Sequence, residues 1–309
     1  MVLIVATLTF VLLHLAPGDP FAGSLDDPRV SEAVRQRMRA QFGLDRPIAE
    51  QYVRWLASAL RGDLGWSLSL NRPVRDVLLD ALPNTLLLMG VALTGSFAVG
   101  VLAGVYSAVR RGSIGDRLTR SVLLFVYSIP DFWLAVMAML VFAVWLRAAP
   151  VSGMVDPVVH DYLGFGGRLL DRLQHLWLPA GTLVLLGAAS IARHQRAAML
   201  DVAGEDYVRT ARAKGLSERR VVWRHAFRNA LLPVITILGL ALPALVAGAF
   251  FVEKVFAWPG MGYVIVRAIS MRDYHLVTAG AVVIGAMVAL GNLVADLLYL
   301  AADPRLRRA

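Results

Sequence analysis

The chain has 309 residues, 17% of them charged, a formal charge of +9 and a mean hydropathy of +0.62. Soluble domains carry about 25% charged residues, and the absence of cysteine excludes a disulfide framework, an iron–sulfur cluster and a thiolate zinc site. Lys214 and Lys254 are the only lysines, and the arginines stand beside apolar runs, a placement that belongs to membrane topology and not to nucleic-acid binding.

Ala81 to Val109 and Asn229 to Val252 carry no charge. Such runs exceed the roughly 20 residues that cross a hydrocarbon core. In lipid every backbone amide needs an internal partner, so the runs are expected to be helices; the strict alternation of a β-barrel is missing. The expected fold is an all-α integral membrane protein with six spans, at about 1–16, 82–109, 119–147, 176–199, 229–252 and 276–301. Met1 already lies inside the first apolar run, without the basic start or small-residue cleavage site of a signal peptide, so this run is read as a true span. Whether the chain begins a few residues upstream stays open.

Between the first two spans, 17–80 reads as a small external helical subdomain. Ser31 caps a helix that ends at Gly43, and a second helix after Pro47 puts Ile48, Tyr52, Trp55, Leu56 and Ala59 on one face. GDLGWSLSLNRPV is turn-rich and expected to be irregular. In the third span Pro130 should kink the helix, leaving Asp131 at the start of the following half, where its carboxylate can cap freed amides. An intramembrane carboxylate is also a functional candidate; Asp296 and, with its imidazole, His14 are comparable.

Basic residues give the orientation. The loop 110–120, the segment 193–228 and the tail hold sixteen Lys and Arg, whereas the opposite short loops hold five, so both termini and the 193–228 segment are expected in the cytoplasm. The expected core, 81–301, thus contains an inward loop at 200–228 and is followed by a cytoplasmic tail, 302–309. Within the loop, Val202 to Lys214 can form a helix with Gly215 as its terminating residue, and Leu200, Ala203, Tyr207 and Ala211 share a face. Ser217 caps a second helix, with Glu218 in its first turn and Trp223 paired to Phe227. Spacing alone leaves open a lipid-surface helix and a protein-facing one.

DYVRTARAKGLSERRVVWRHAFRNALLPV resembles the cytoplasmic coupling loop of bacterial ABC-importer permeases, in particular the dipeptide/oligopeptide branch. LLHLAPGDP, FGLDRPIAEQYVRWL, GDLGWSLSLNRPV, LPNTLLL, SIPDFWL, VEKVFAWPGMG, RDYHLV and LVADLLYLAADPR match that branch in order, so the likeness covers essentially the whole chain. The family's Glu-Ala-Ala, three residues, Gly pattern falls here on Arg209, Thr210 and Ala211, then Gly215; its Glu and first Ala are missing, as in the branch's RTARAKG variant. The later Ile-x-Leu-Pro of that pattern falls near His225 to Arg228, without its proline. Asp131 stands where a small residue is usual.

The resemblance implies a permease subunit of the bacterial inner membrane, not an enzyme. It would pair with a homologous permease, two cytoplasmic ATPases and an external binding protein. ATP and magnesium would be held by those ATPases, since neither lysine here stands in a phosphate-binding loop. Tyr207, Arg209, Thr210, Ala211, Lys214 and Gly215 would contact an ATPase, with Gly215 and Ala211 as steric contact points. Phe256, Trp258, Pro259 and Gly260, with Asp131, are candidates for the external gate or path; the alternative for VEKVFAWPGMG is a simple re-entrant turn. Peptides, nickel or glutathione are the substrate classes implied. A competing reading is an ion-coupled carrier using Asp131 and Asp296, and an intramembrane hydrolase finds no HExxH or Gly-x-Ser-x-Gly to support it.

Overall fold

Two long helices carry the architecture, and both begin earlier in the chain than their apolar runs do. In a computed structural model, residues 2–15, 45–241, 245 and 249–302 are described, with the side chains of 14 and 295–302 left aside. Helix α1 is Val2–Leu15 and α2 is Ile48–Leu60, followed by strands β1 (Trp66–Ser67) and β2 (Arg72–Pro73). Helix α3 is Val74–Val109, α4 is Ile114–Ser128, and α5 is Asp131–Ala138, which continues into a π-helical stretch, Met139–Trp145. Helix α6 is Phe165–Ala203, α7 is Asp206–Ala213, α8 is Glu218–Arg220 and α9 is Phe227–Ala230, with a second π-helical stretch, Val221–Ala226, between the last two. Helices α10 (Leu232–Ala241), α11 (Phe250–Val255), α12 (Met261–Ser270) and α13 (Tyr274–Ala302) complete the described chain. The helix expected from Ser31 to Gly43 lies outside the described residues, as do part of the 229–252 run and the side chains of His14 and Asp296.

Helices α3 and α6 form the most extensive helix pair. They run through Pro83 and Pro179, where the sequence reading began its spans at 82 and 176. A proline inside a helix costs about 3 kcal/mol; Pro179 is buried whereas Pro83 is exposed between the buried Ala81 and Thr85, and packing of the two helices outweighs the lost backbone bonds. The seam between the helices is built from small residues. A Cβ on Gly100 would stand 2.7 Å from Cβ of Ile191, and one on Gly104 would stand 2.7 Å from the carbonyl oxygen of Ala192. Close backbone approach of this kind replaces the hydrophobic drive that lipid does not supply.

The 119–147 span is not one kinked helix. Helices α4 and α5 meet at 106°. Ile129 is extended (φ −84°, ψ 132°), as the residue before a proline prefers to be, and this opens the chain rather than bending it. Asp131 is the first residue of α5 and is exposed, but its carboxylate makes no hydrogen bond to the freed amides, contrary to the capping role expected of it. By length and composition, three of the described helices can cross a membrane, or four if the bent pair counts as one span.

GDLGWSLSLNRPV is ordered. Trp66 pairs with Pro73 and Ser67 with Arg72 in a short antiparallel hairpin, and Asn71 takes the left-handed conformation (φ 50°) that asparagine tolerates. Asp273, buried just before α13, holds this hairpin down. Its Oδ2 accepts from the Ser67 hydroxyl at 2.6 Å, the Ser69 hydroxyl at 2.8 Å and the Ser69 amide at 3.0 Å, while Oδ1 accepts from the Leu276 amide at 3.2 Å. Helix α2 packs on α1, where Tyr52 and Trp55 stack about Phe10 with ring centroids 5.2 and 5.7 Å away.

Candidate functional site

The basic segment is a separate short helix rather than an extension of the long one. Helix α6 ends at Ala203, Gly204 caps it, and Glu205 is extended before α7 begins. The break resets the helical phase, which corrects the expected face of Leu200, Ala203, Tyr207 and Ala211. Val208 and Ala211 turn inward, at 0% and 5% exposure, and pack with Val221, Val202 and Leu216. Ala211 is therefore an anchor of α7 in this chain and not an open contact surface. Tyr207, Arg209, Thr210, Lys214 and Gly215 remain exposed.

The turn after α7 is closed from both sides. Gly215 has φ +74°, a conformation that costs other residues roughly 1–2 kcal/mol. Arg212 grips Glu218 with two hydrogen bonds, Nε to Oε2 at 3.2 Å and an η-nitrogen to Oε1 at 2.8 Å. The hydrogen bond from Arg212 holds the Glu218 carboxyl below its ordinary range. Ser217 occupies the N-cap position of α8 but lends its backbone carbonyl and not its hydroxyl, so the expected side-chain cap is absent. Asn229 donates to the Tyr207 hydroxyl at 2.7 Å, and Trp223 meets Phe227 edge to face at 5.1 Å as the spacing predicts. Helix α7, the turn and the following helix thus form one braced unit.

At the far end of the chain's long helices, VEKVFAWPGMG folds into a locked knot. Glu253 is fully buried; it accepts from the Thr85 hydroxyl at 3.0 Å and the Tyr263 amide at 2.9 Å. The Thr85 oxygen in turn accepts from the Met261 amide at 2.7 Å. Trp258 is fully buried, and its indole donates to the Asn84 carbonyl at 2.9 Å; the Asn84 amide donates to the Pro259 carbonyl at 3.0 Å. A Cβ on Gly260 would stand 2.5 Å from Oγ1 of Thr85 and 2.6 Å from Cδ of Glu253, so only glycine lets the carboxylate in. Phe256 packs among Ala135, Ala143, Leu178 and Val252. The turn itself is made by Ala257 at φ 48°, while Gly262 lies inside α12.

Phe256, Trp258, Pro259 and Gly260 are thus brought together, and Asp131 is not part of their hydrogen-bond network. Asn84, Thr85 and Glu253 are the residues that sequence reasoning missed. For Glu253 the signal was available: it is the first charge after the uncharged run from Asn229, five residues before Trp258 of the Trp-Pro-Gly turn. Sequence reasoning also passed over Asp116, whose buried carboxylate takes hydrogen bonds from the Ser107 hydroxyl, from the Gly112 amide at 3.0 Å and from Arg196 at 3.2 and 3.3 Å. Asp171 likewise binds His160 at 2.6 Å and the Asp156 amide. Among the described residues no group of three or more His, Asp or Glu is placed to hold a metal ion.

Residues 100–308 match the family model described as the binding-protein-dependent transport system inner membrane component, and residues 1–89 match its N-terminal companion. The chain is 42% identical to the di/tripeptide transport system permease protein DppB of Pseudomonas aeruginosa, with 98% of this chain and 94% of that protein covered. It is 39% identical to the oligopeptide transport system permease protein AppB of Bacillus subtilis and 38% identical to the dipeptide transport system permease protein DppB of Escherichia coli, with the same coverage. Its fold is similar to a chain of the methionine ABC transporter MetNI in an inward-facing conformation, with a TM-score of 0.59 at 20% identity, covering 75% of this chain and 98% of that one.

Proposed function

This chain belongs to the family of binding-protein-dependent transport inner-membrane components, and from that premise we propose that it forms half of the transmembrane path of an ATP-driven importer of di- or oligopeptides. The permeases to which it is about 40% identical are named for dipeptides, tripeptides and oligopeptides, and this favours peptides over nickel or glutathione. The partners are a homologous permease, two cytoplasmic ATPases that bind ATP and magnesium, and an external binding protein that delivers the peptide. Six spans are proposed: α1, α3, the α4–α5 pair, α6, the segment opened by α10, and α13. Arginine placement supports cytoplasmic termini and an inward α7.

One observation carries the mechanism. Helix α7 is short, is anchored by Val208 and Ala211, and is braced across its turn by Arg212 and Glu218, while its other face stays open. A lever must be rigid and must meet its driver differently in each state. In this reading Tyr207, Arg209, Thr210, Lys214 and Gly215 touch an ATPase, Ala211 fixes the helix from behind, and closure of the ATPases moves α7 with the helix pair behind it. At the opposite end the Glu253–Thr85 knot keeps Phe256 and Trp258 rigid as part of the external gate. No atom of this chain takes part in a covalent step.

Gly215 offers the test. No atom lies within 4 Å of a Cβ built there, so a side chain would project into open space. Gly215→Ala adds backbone strain without bulk, and Gly215→Arg adds both. In the assembled complex, Gly215→Ala is expected to retain most ATP-driven dipeptide uptake, whereas Gly215→Arg abolishes it with membrane insertion intact. Normal uptake by Gly215→Arg would overturn the coupling assignment.

A further inference from the structure

A groove of about 280 Å³ opens at the same end of the molecule as the Glu253 knot, between α3, α12 and the β1–β2 hairpin. One end of it is closed by the Asn84–Pro259 hydrogen bond, and its floor is apolar, with Val77, Ala81, Ala268 and Leu276 buried in one cluster. Asp80 and Asn84 line it from α3, and Tyr263 and Arg267 line it from α12; each pair is about one helical turn apart. The two helices run in opposite senses. Asn84 bonds to the Pro259 carbonyl, the Met261 amide bonds to Thr85, and further along both helices Leu78 and Ile265 meet over Gly280. Asp80 therefore stands level with Tyr263 to Ile265, and Arg267 lies within a turn, about 5 Å, beyond it.

Arg72, Asp80 and Arg267 are the charged residues that line the groove. Arg72 reaches from β2 to Asp80, an η-nitrogen to Oδ2 at 2.7 Å, and both side chains are more than half exposed. Oδ1 of Asp80 takes no hydrogen bond among the described residues. Arg267 is exposed, and its guanidinium has no hydrogen-bond or ion-pair partner among them. An inorganic anion in this groove would meet Asp80, and a metal cation would meet two guanidiniums. A molecule that carries both a carboxylate and an ammonium meets each charge with its opposite. An extended dipeptide holds its two ends about 7 Å apart, which suits charges offset as Arg267 and Asp80 are. Sites for drug-sized ligands take roughly 300–1,000 Å³, so 280 Å³ suits two or three residues and not a long chain.

We propose that this groove is a binding subsite for short zwitterionic peptides, with the C-terminal carboxylate on Arg267, the N-terminal ammonium on Oδ1 of Asp80 and a small side chain against the apolar floor. Arg72 holds the Asp80 carboxylate in place. The ligand rests against the Asn84–Pro259 bond, and so against the knot that keeps Phe256 and Trp258 rigid. The choice of a peptide rests on the importer reading above; the groove and its charges do not.

The test uses the assembled permease–ATPase complex in lipid nanodiscs, without nucleotide or binding protein, titrated with dialanine and read by ligand-observed NMR. A charge-assisted hydrogen bond contributes about tenfold in affinity or more, so dialanine amide and N-acetyl-dialanine, which each lack one terminal charge, should bind about tenfold more weakly. Arg267→Gln should weaken dialanine by a similar factor and leave the amide unchanged, since the amide has no carboxylate to lose. Asp80→Asn should weaken dialanine and not N-acetyl-dialanine. No saturable binding, equal binding of the three peptides, or an Arg267→Gln complex that binds dialanine as the unaltered one does would overturn the proposal. So would a loss in Arg267→Gln confined to the affinity of the binding protein, which would make the groove a docking contact. Uptake of dialanine by the complete transporter is scored separately: its absence counts against the importer reading, while the binding titrations decide the groove.

Discussion

Thr85 illustrates how much one hydroxyl can organise. It donates to a fully buried carboxylate and accepts from a buried amide, joining α3 to the turn between α11 and α12. Thr85→Val keeps the shape and removes both bonds, leaving Glu253 and the Met261 amide short of a partner. Such an orphaned group costs about 1–3 kcal/mol. Thr85→Val should therefore lower the thermal midpoint of the purified protein by several degrees, and Thr85→Ser should recover most of it; an unchanged midpoint in Thr85→Val would show that the hydroxyl is dispensable. These residues were legible in part. LPNT and VEKVFAWPGMG each stood out as motifs, but nothing in their spacing of some 170 residues tells that one closes on the other. Asp131 drew attention for the opposite reason. A carboxylate in an apolar run looks expensive, yet it stands exposed at a chain break, while the buried acids Asp116, Asp171 and Glu253 stand in helices, and Asp273 just before one, each beside its donors.

Among the elements, the α7 unit depends on its closing ion pair. Both partners are substantially exposed, so the pair by itself is worth little in global stability. Its effect should be on the turn. Arg212→Ala and Glu218→Ala are each expected to cut coupled uptake severalfold, and the double variant should do no worse than either one, since both remove the same brace. Additive losses would mean that each side chain acts separately. The pH dependence has a definite sign. The Glu218 carboxyl is held below its ordinary range by Arg212, so the brace is fully present above that ordinary range and is lost as pH falls through the lowered one. Neutral conditions keep it intact. Helix type was readable here from spacing and the terminating glycine. The phase was not, because Gly204 stops α6 one turn before the apolar pattern gives any sign of it.

At the scale of the molecule, the proposed path and lever come without a phosphate-binding loop in the sequence. Reconstituted alone in lipid vesicles with ATP, the chain should show no uphill peptide uptake; joined by a second permease, two ATPases and the binding protein, it should accumulate peptide at the cost of ATP. Accumulation by the lone chain would refute the proposed function. The sequence by itself determined the membrane class, the helical content and the family resemblance. Long uncharged runs and obligatory backbone bonding leave few alternatives, and those are local constraints that a linear reading can see. Only tertiary structure decided that α4 and α5 part at 106°, that Ala211 faces inward, and that Asn84 and Thr85 lock the Trp258 turn. Each of these depends on which distant backbone comes within hydrogen-bonding or packing distance, and periodicity along the chain carries no record of that.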